Sequence, residues 1–244
     1  MIHPMKLLFT LFLAVFSIGS AQAVELRPVS LRAICFQHVD GMKKLFATSG
    51  GEKPKAVEFT LYTSVISDEI ETFATDGMLT FAVPGAEDGG APTLKTITTA
   101  KAVPGPRQLA IFIPGEPGGS PYRCFVIDDS LKAFPMGSTM AVNLATVPFK
   151  IAIGEQVKAV SPGQISNIPM ATKTNDRGQV SVIISIADKA SENGWRAVNQ
   201  TRWFTGTDKR DLAIGFIHPK TKQPAVNCYG DTPPWLAGEI PPGG

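Results

Sequence analysis

Three cysteines, Cys35, Cys124 and Cys228, are the most reactive side chains of this 244-residue sequence. Each can be half of a disulfide, a metal ligand, a nucleophile, or a small apolar side chain in a core. Cys35 lies in "ICFQHV", a short apolar stretch that suggests a strand. An odd count permits one disulfide with a thiol left over, and Cys35 with Cys124 is the pair expected if a bridge forms. A loop of that length, once closed, stabilises a fold by roughly 3 to 5 kcal/mol. The competing reading makes the thiols small hydrophobes beside Phe125 and Tyr229.

Acid–base chemistry has little to work with. Past residue 23 the only histidines are His38, at the end of a strand pattern, and His218, in "FIHP" before a turn. An ordinary solvated histidine accounts for each. No G-x-S-x-G, H-E-x-x-H, C-x-x-C, P-loop or G-x-G-x-x-G motif is present, so no catalytic residue is assigned. Zinc needs three or four converging Cys or His ligands, and only Cys35 and His38 lie within three residues of each other. On a strand that spacing sends them to opposite faces, so neither a metal nor any other cofactor is expected. For calcium, Glu87-Asp88, Asp128-Asp129 and Asp208 with Asp211 are the acidic candidates, but none forms the regular D-x-D-x-D-G loop.

Carbohydrate binding has a better local signal. "NGWRAVNQTRWFTG" sets Trp195, Trp203 and Phe204 among Arg196, Asn199, Gln200, Thr201 and Arg202, and Trp195, Arg196, Trp203 and Phe204 are the candidate ligand contacts. On one unbroken strand the two tryptophans would share a face about 26 Å apart. The competing reading is that they cover the open end of a sandwich core or a domain interface. Asn199-Gln200-Thr201 also matches a glycosylation sequon, a pattern too short to carry weight alone.

The elements that must position these residues are strands. Val57, Phe59 and Leu61 alternate with Glu58, Thr60 and Tyr62, and Phe149, Ile151 and Ile153 alternate with Lys150, Ala152 and Gly154. Leu109 to Ile113 and Val180 to Ala187 are apolar on both faces and read as central strands. Turn pairs such as Asp76-Gly77, Pro114-Gly115, Pro162-Gly163 and Asn193-Gly194 recur at short intervals. The expected fold class is therefore all-β, a sandwich or barrel of antiparallel sheets.

The two halves of the chain are alike. "RQLAIFIPG" parallels "RDLAIGFIHP", "DGMLTFAV" parallels "RGQVSVIISIA", "AVEFTLY" parallels "VPFKIAIG", and "RAICFQ" parallels "MAVNLA". The offset drifts from about 105 residues to about 91, too long for a solenoid repeat and the size of one small sandwich. Two tandem, duplicated antiparallel β-sandwich domains are expected, over residues 24–129 and 130–231, with the junction in Asp128 to Gly137. In that alignment Cys124 and Cys228 take equivalent places and Cys35 faces Asn143. Residues 232–244 form a Pro/Gly-rich tail, expected to be extended, whose Trp235 is free to dock on the body or on a partner.

Residues 1–23 read as a secretory signal peptide: Lys6, then mostly apolar Leu7 to Ile18, then Ala21-Gln22-Ala23 at the cleavage site. The apolar run is too short for a membrane span, so no membrane insertion is expected once the leader is removed. Without Lys6 the chain is nearly neutral, which removes any electrostatic reason to bind nucleic acid. A periplasmic or secreted location follows.

The stretch "DDSLKAFPMGSTMAVNLATVPFKIAIGEQVKAVSPGQ" resembles a pattern in exported bacterial β-sandwich proteins, in which an FP-x-G-S turn leads to a strand ending in Asn-Leu, a hairpin and a Pro-Gly turn. More remotely it is similar to the periplasmic alginate O-acetylation adaptor. The resemblance implies the fold and export and carries over no catalytic residue. The expected function is a non-catalytic binding or scaffolding component of the cell envelope, with a protein or polysaccharide partner. Carbohydrate binding through the Trp195 to Phe204 region and accessory enzymology in polysaccharide modification are the alternatives.

Overall fold

The computed structural model describes residues 24–50, 55–86 and 93–236. The expected leader, the Glu87-Asp88 pair and the tail past residue 236 lie outside the described residues. In chain order the strands are β1 (Leu26–Cys35), β2 (Lys44–Thr48), β3 (Ala56–Thr60), β4 (Ile70–Thr75), β5 (Met78–Pro84), β6 (Leu94–Lys101), β7 (Arg107–Pro114), β8 (Tyr122–Asp128), β9 (Thr139–Asn143), β10 (Phe149–Ile153), β11 (Gln156–Val160), β12 (Ile165–Ile168), β13 (Gln179–Ala187), β14 (Trp195–Phe204), β15 (Arg210–Ile217) and β16 (Pro224–Asp231). A 3-10 turn over Pro234–Leu236 follows. Among the described residues no helix is long and apolar enough to cross a membrane.

Alternation in the sequence becomes alternation in burial. Phe59, Leu61, Phe149, Ile151 and Ile153 are buried, while Glu58 is exposed and Lys150 half-buried. The turn joining β4 to β5 needs two consecutive left-handed residues, and Asp76 and Gly77 supply them with φ of 49° and 73°.

Strands β1 to β8 form one continuous sheet in the order β3-β2-β5-β4-β1-β7-β8, with β6 also paired to β5. It curls around a core that includes Leu31, Leu45, Phe59, Phe81, Phe112 and Tyr122. The remaining strands form two four-stranded sheets, β12-β9-β15-β16 and β11-β10-β13-β14. These face each other across Phe149, Ile151, Val182, Ile184 and Ala213. The all-β expectation holds, whereas the first half is one curled sheet where two facing sheets were expected.

The sheets are also not purely antiparallel, since β1 pairs with β7 and β9 with β15 in parallel. A parallel neighbour needs a long crossover, which the intervening strands supply, and alternation within one strand says nothing about which later strand will lie beside it. Leu109 and Leu212 stand in like positions within these pairs. Their parallel neighbours are Arg32 and Met140, and their antiparallel neighbours are Ile127 and Tyr229.

Strand β7 is apolar on both faces because both are covered. Ala110 and Phe112 enter the first core, while Leu109, Ile111 and Ile113 enter a third one, against Met140, Val142, Leu212, Ile214 and Phe216. The two halves thus share a buried layer instead of each closing only on itself. Phe134, in the segment expected to be a plain junction, is buried in that layer.

The expected Cys35–Cys124 disulfide is not formed, and all three cysteines are free thiols. Both residues are level with Phe112, one on either side of β7. Two strand spacings separate their Cα atoms by roughly 9.6 Å, beyond the ~7 Å reach of a disulfide. Cys124 and Cys228 are also two residues out of step, because Cys228 is level with Ala213, the counterpart of Ala110 rather than of Phe112. Cys35 and Asn143 do correspond, level with Phe112 and Gly215. Asn143 Nδ2 donates to the carbonyls of Val147 and Val160 at 3.0 and 2.8 Å, and its Oδ1 accepts from Ala145 N at 2.9 Å.

Candidate functional site

Strand β14, which carries the candidate ligand contacts, is one free edge of its sheet, and β16 is one free edge of the facing sheet. Between them an open groove of about 630 Å³ is lined by Asn199, Thr201, Trp203, Asn227, Cys228 and Tyr229, with Thr63 and Ser64 contributed by the loop after β3. The register explains which β14 side chains take part. Core-facing Val180, Val182 and Ile184 pair with Trp203, Thr201 and Asn199, so these three side chains turn toward the opposite sheet. Trp203 rests half-buried against the core there.

The groove therefore combines one indole face with amide and hydroxyl groups that both donate and accept. Tyr229 Oη accepts a hydrogen bond from Asn227 Nδ2 at 3.1 Å. The two lining groups able to titrate are held neutral near pH 7. Burial pushes the Tyr229 hydroxyl up, and burial followed by the Asp211 charge pushes the Cys228 thiol up to about 12, although Cys228 as a residue reaches the surface. A protonated thiol is a poor nucleophile.

Trp195 and Arg196 are not gathered with Trp203, and Phe204 meets it only in a separate shallow recess beside Met170. One extra residue, Val198, interrupts the ladder between the Ile184↔Asn199 and Ser185↔Ala197 pairs. This bulge changes the parity of the strand, so Trp195 falls on the outer face and the shared face expected for the two tryptophans does not exist. On that face Lys150 Nζ lies 4.7 Å from the Trp195 ring centroid. Arg196 Nε donates to Asp188 Oδ2 at 3.1 Å, and Phe204 pairs with Gln179 and is exposed.

The histidines have local partners. His38 Nε2 lies 2.9 Å from the Leu61 carbonyl, and His218 Nδ1 accepts from the backbone N–H groups of Lys220 and Thr221 at 3.2 Å. Among the described residues no three His, Cys, Asp or Glu side chains come together as metal ligands. Asp128 Oδ1 caps Ser130 N at 2.9 Å, and Asp211 Oδ1 accepts from Lys209 Nζ at 3.2 Å.

A second cluster, absent from the sequence reading, lies at one end of the shared layer. Arg32 of β1, Asp129 just past β8, Arg210 of β15 and Asp231 of β16 are all buried and form a closed ring. Arg32 forks onto Asp129 through Nε at 2.8 Å and Nη2 at 3.0 Å, and onto Asp231 through Nη1 at 2.7 Å and Nη2 at 2.8 Å. Arg210 donates from Nε to Asp231 at 2.7 Å, from Nη2 to Asp129 Oδ1, and from Nη1 to the Phe134 carbonyl at 2.8 Å.

Trp235 lies over the cluster, 3.8 Å from the Arg107 guanidinium carbon, 4.8 Å from that of Arg32 and 5.6 Å from that of Arg210. The part of the tail expected to be extended is, as far as residue 236, docked on the body. Burial alone would lower the Arg32 pKa, but its bonds to Asp231 and Asp129 reverse this and raise it. Burial likewise works against ionised Asp231, yet the hydrogen bonds and charges of Arg32 and Arg210 hold its carboxyl below its ordinary value. Two arginines balance two carboxylates, so the ring has a structural role, joining the halves across the shared layer. A sequence signal for it existed: Arg107 faces Asp129 and Arg210 faces Asp231 at the same rung of equivalent strand pairs.

No family model and no curated protein matches this sequence.

Proposed function

We propose that the protein is an exported, non-catalytic binding or scaffolding component of the bacterial cell envelope, and that the groove between β14 and β16 takes a stretch of polysaccharide. The observation that carries this reading is that Trp203, Asn199 and Thr201 of β14 line one open groove, which continues over the free edge of β16 to Asn227 and Tyr229. A sugar ring offers apolar C–H faces for stacking and hydroxyls for paired donor and acceptor groups, and the groove supplies both. Neutral Cys228 and Tyr229, together with histidines occupied by backbone partners, favour binding over catalysis. The matching rungs around Leu109 and Leu212, and around Arg107–Asp129 and Arg210–Asp231, support an origin of the two halves by duplication.

Retention on immobilised envelope polysaccharides and signal on a glycan array test the reading. Trp203→Ala and Asn199→Ala are expected to weaken binding about tenfold or more, equivalent to ~1.4 kcal/mol. Asn199 is exposed, so that variant keeps the fold if loss of core contact complicates Trp203→Ala. No retention of the native protein on any polysaccharide, or unchanged retention of both variants, overturns the reading.

A further inference from the structure

The layer shared by the two halves is closed unequally at its two sides. On one side β16 turns Asn227 and Tyr229 toward it, and these two polar groups bond to each other. On the other side the free edges are β8 and β12. Phe125 of β8 pairs with Ile111, and Ile165 of β12 pairs with Val142, so both face the layer, yet they are 37% and 51% exposed. Between them is an open groove of about 490 Å³. Its floor includes Val142 and Leu144, and Lys101 is the one charged residue that lines it.

We infer that this groove binds one long-chain amphiphile, its hydrocarbon chain lying between Phe125 and Ile165 over Val142 and Leu144, and its carboxylate head at Lys101. Exposed aromatic and branched aliphatic side chains on both lips of a core layer favour an apolar occupant, since covering them removes hydrocarbon from water. The size selects a small ligand. A specific protein interface uses about 20 to 30 residues a side, whereas a cleft of this volume falls in the ~300–1,000 Å³ range of small-molecule sites. Charge sets the polarity of that ligand, because a lone ammonium at the margin of an apolar groove selects an acidic head group. The site is independent of the polysaccharide groove, which opens between β14 and β16, and its walls come from both halves, so it exists only when they are packed together.

Titration of the full mature chain with cis-parinaric acid, below its micelle concentration, tests the inference by the rise in emission as the polyene leaves water. Saturable binding at one per chain is expected. Ile165→Glu should weaken it at least tenfold. Lys101→Glu should weaken the acid about fivefold while leaving the alcohol of the same chain unchanged. Phe125→Ser is the second lip variant, and far-ultraviolet circular dichroism with a melting curve establishes that each variant folds. Absence of saturable binding by the native chain, or equal binding by both lip variants, overturns the site. Equal weakening of acid and alcohol by Lys101→Glu overturns the head-group assignment. Binding to anionic vesicles without binding of the free acid overturns the amphiphile in favour of a membrane surface. A concentration-dependent rise in mass that Ile165→Glu abolishes, again without acid binding, overturns it in favour of a second copy of the chain.

Discussion

Asp231 is shared between two arginines, one of them 199 residues earlier in the chain. Removing it leaves Arg32 and Arg210 buried against the single carboxylate of Asp129. Asp231→Ala is expected to lower unfolding free energy by about 3 to 5 kcal/mol, read as a fall in the urea midpoint. The same residue fixes a pH dependence. Its folded pKa is depressed, so its contribution is complete above the unfolded value near ~3.9 and is lost as pH falls through the lower folded value. Acid unfolding curves of the native protein and Asp231→Asn should therefore begin to converge as pH falls below about 4 and coincide only below the depressed folded value. Titration of the denatured, unreduced protein should find three thiols per chain. At this scale the clustering of aromatic and amide residues around Trp203 was legible, and the structure places that side chain on an open groove. The charge ring was not read, although Arg107 and Arg210 open matching strands of the two halves, because which carboxylates meet buried Arg32 and Arg210 is decided by tertiary packing.

Gly215 of β15, which has no side chain, lets the Phe149 ring of β10 and the Asn143 side chain of β9 pack directly against its backbone. A Cβ there would meet the Phe149 ring at 2.7 Å and Asn143 Oδ1 at 3.0 Å, both parts of fixed core contacts. Gly215→Ala is therefore expected to cost about 1 to 3 kcal/mol, visible as a lower melting temperature with an unchanged strand spectrum. Element existence was largely legible: period-two patterns marked β3 and β10, and Asp76-Gly77 marked its hairpin. Two features were not. The parallel partners of β1 and β9 depend on crossovers, which leave no local trace, and the Val198 bulge reverses the facing of Trp195 without any Gly or Pro to announce it.

Across the whole molecule, the shared layer of Ile34, Leu109, Ile111, Met140, Leu212 and Ile214 couples the halves. Calorimetry should show one cooperative transition, and residues 24–129 produced alone should expose the Leu109 face and associate in a concentration-dependent way. Two resolved transitions would mean that the joint is weaker than either half. The resemblance between halves was readable because matching strands retain matching apolar pairs. That they pack through a common interior was not, because apolar residues on both sides of β7 are equally compatible with a central strand of one domain.

The ring of Arg32, Asp129, Arg210 and Asp231 has a bearing on biosynthesis. Ribosomes deliver Arg32 early and its second counterion only after nearly two hundred further residues, so the nascent polypeptide spends most of translation with that guanidinium incompletely neutralised. Frameshifts or stop codons upstream of Asp231 should consequently yield polypeptides that chaperones and proteases recognise as unfinished, even though most of the three hydrophobic interiors is already encoded.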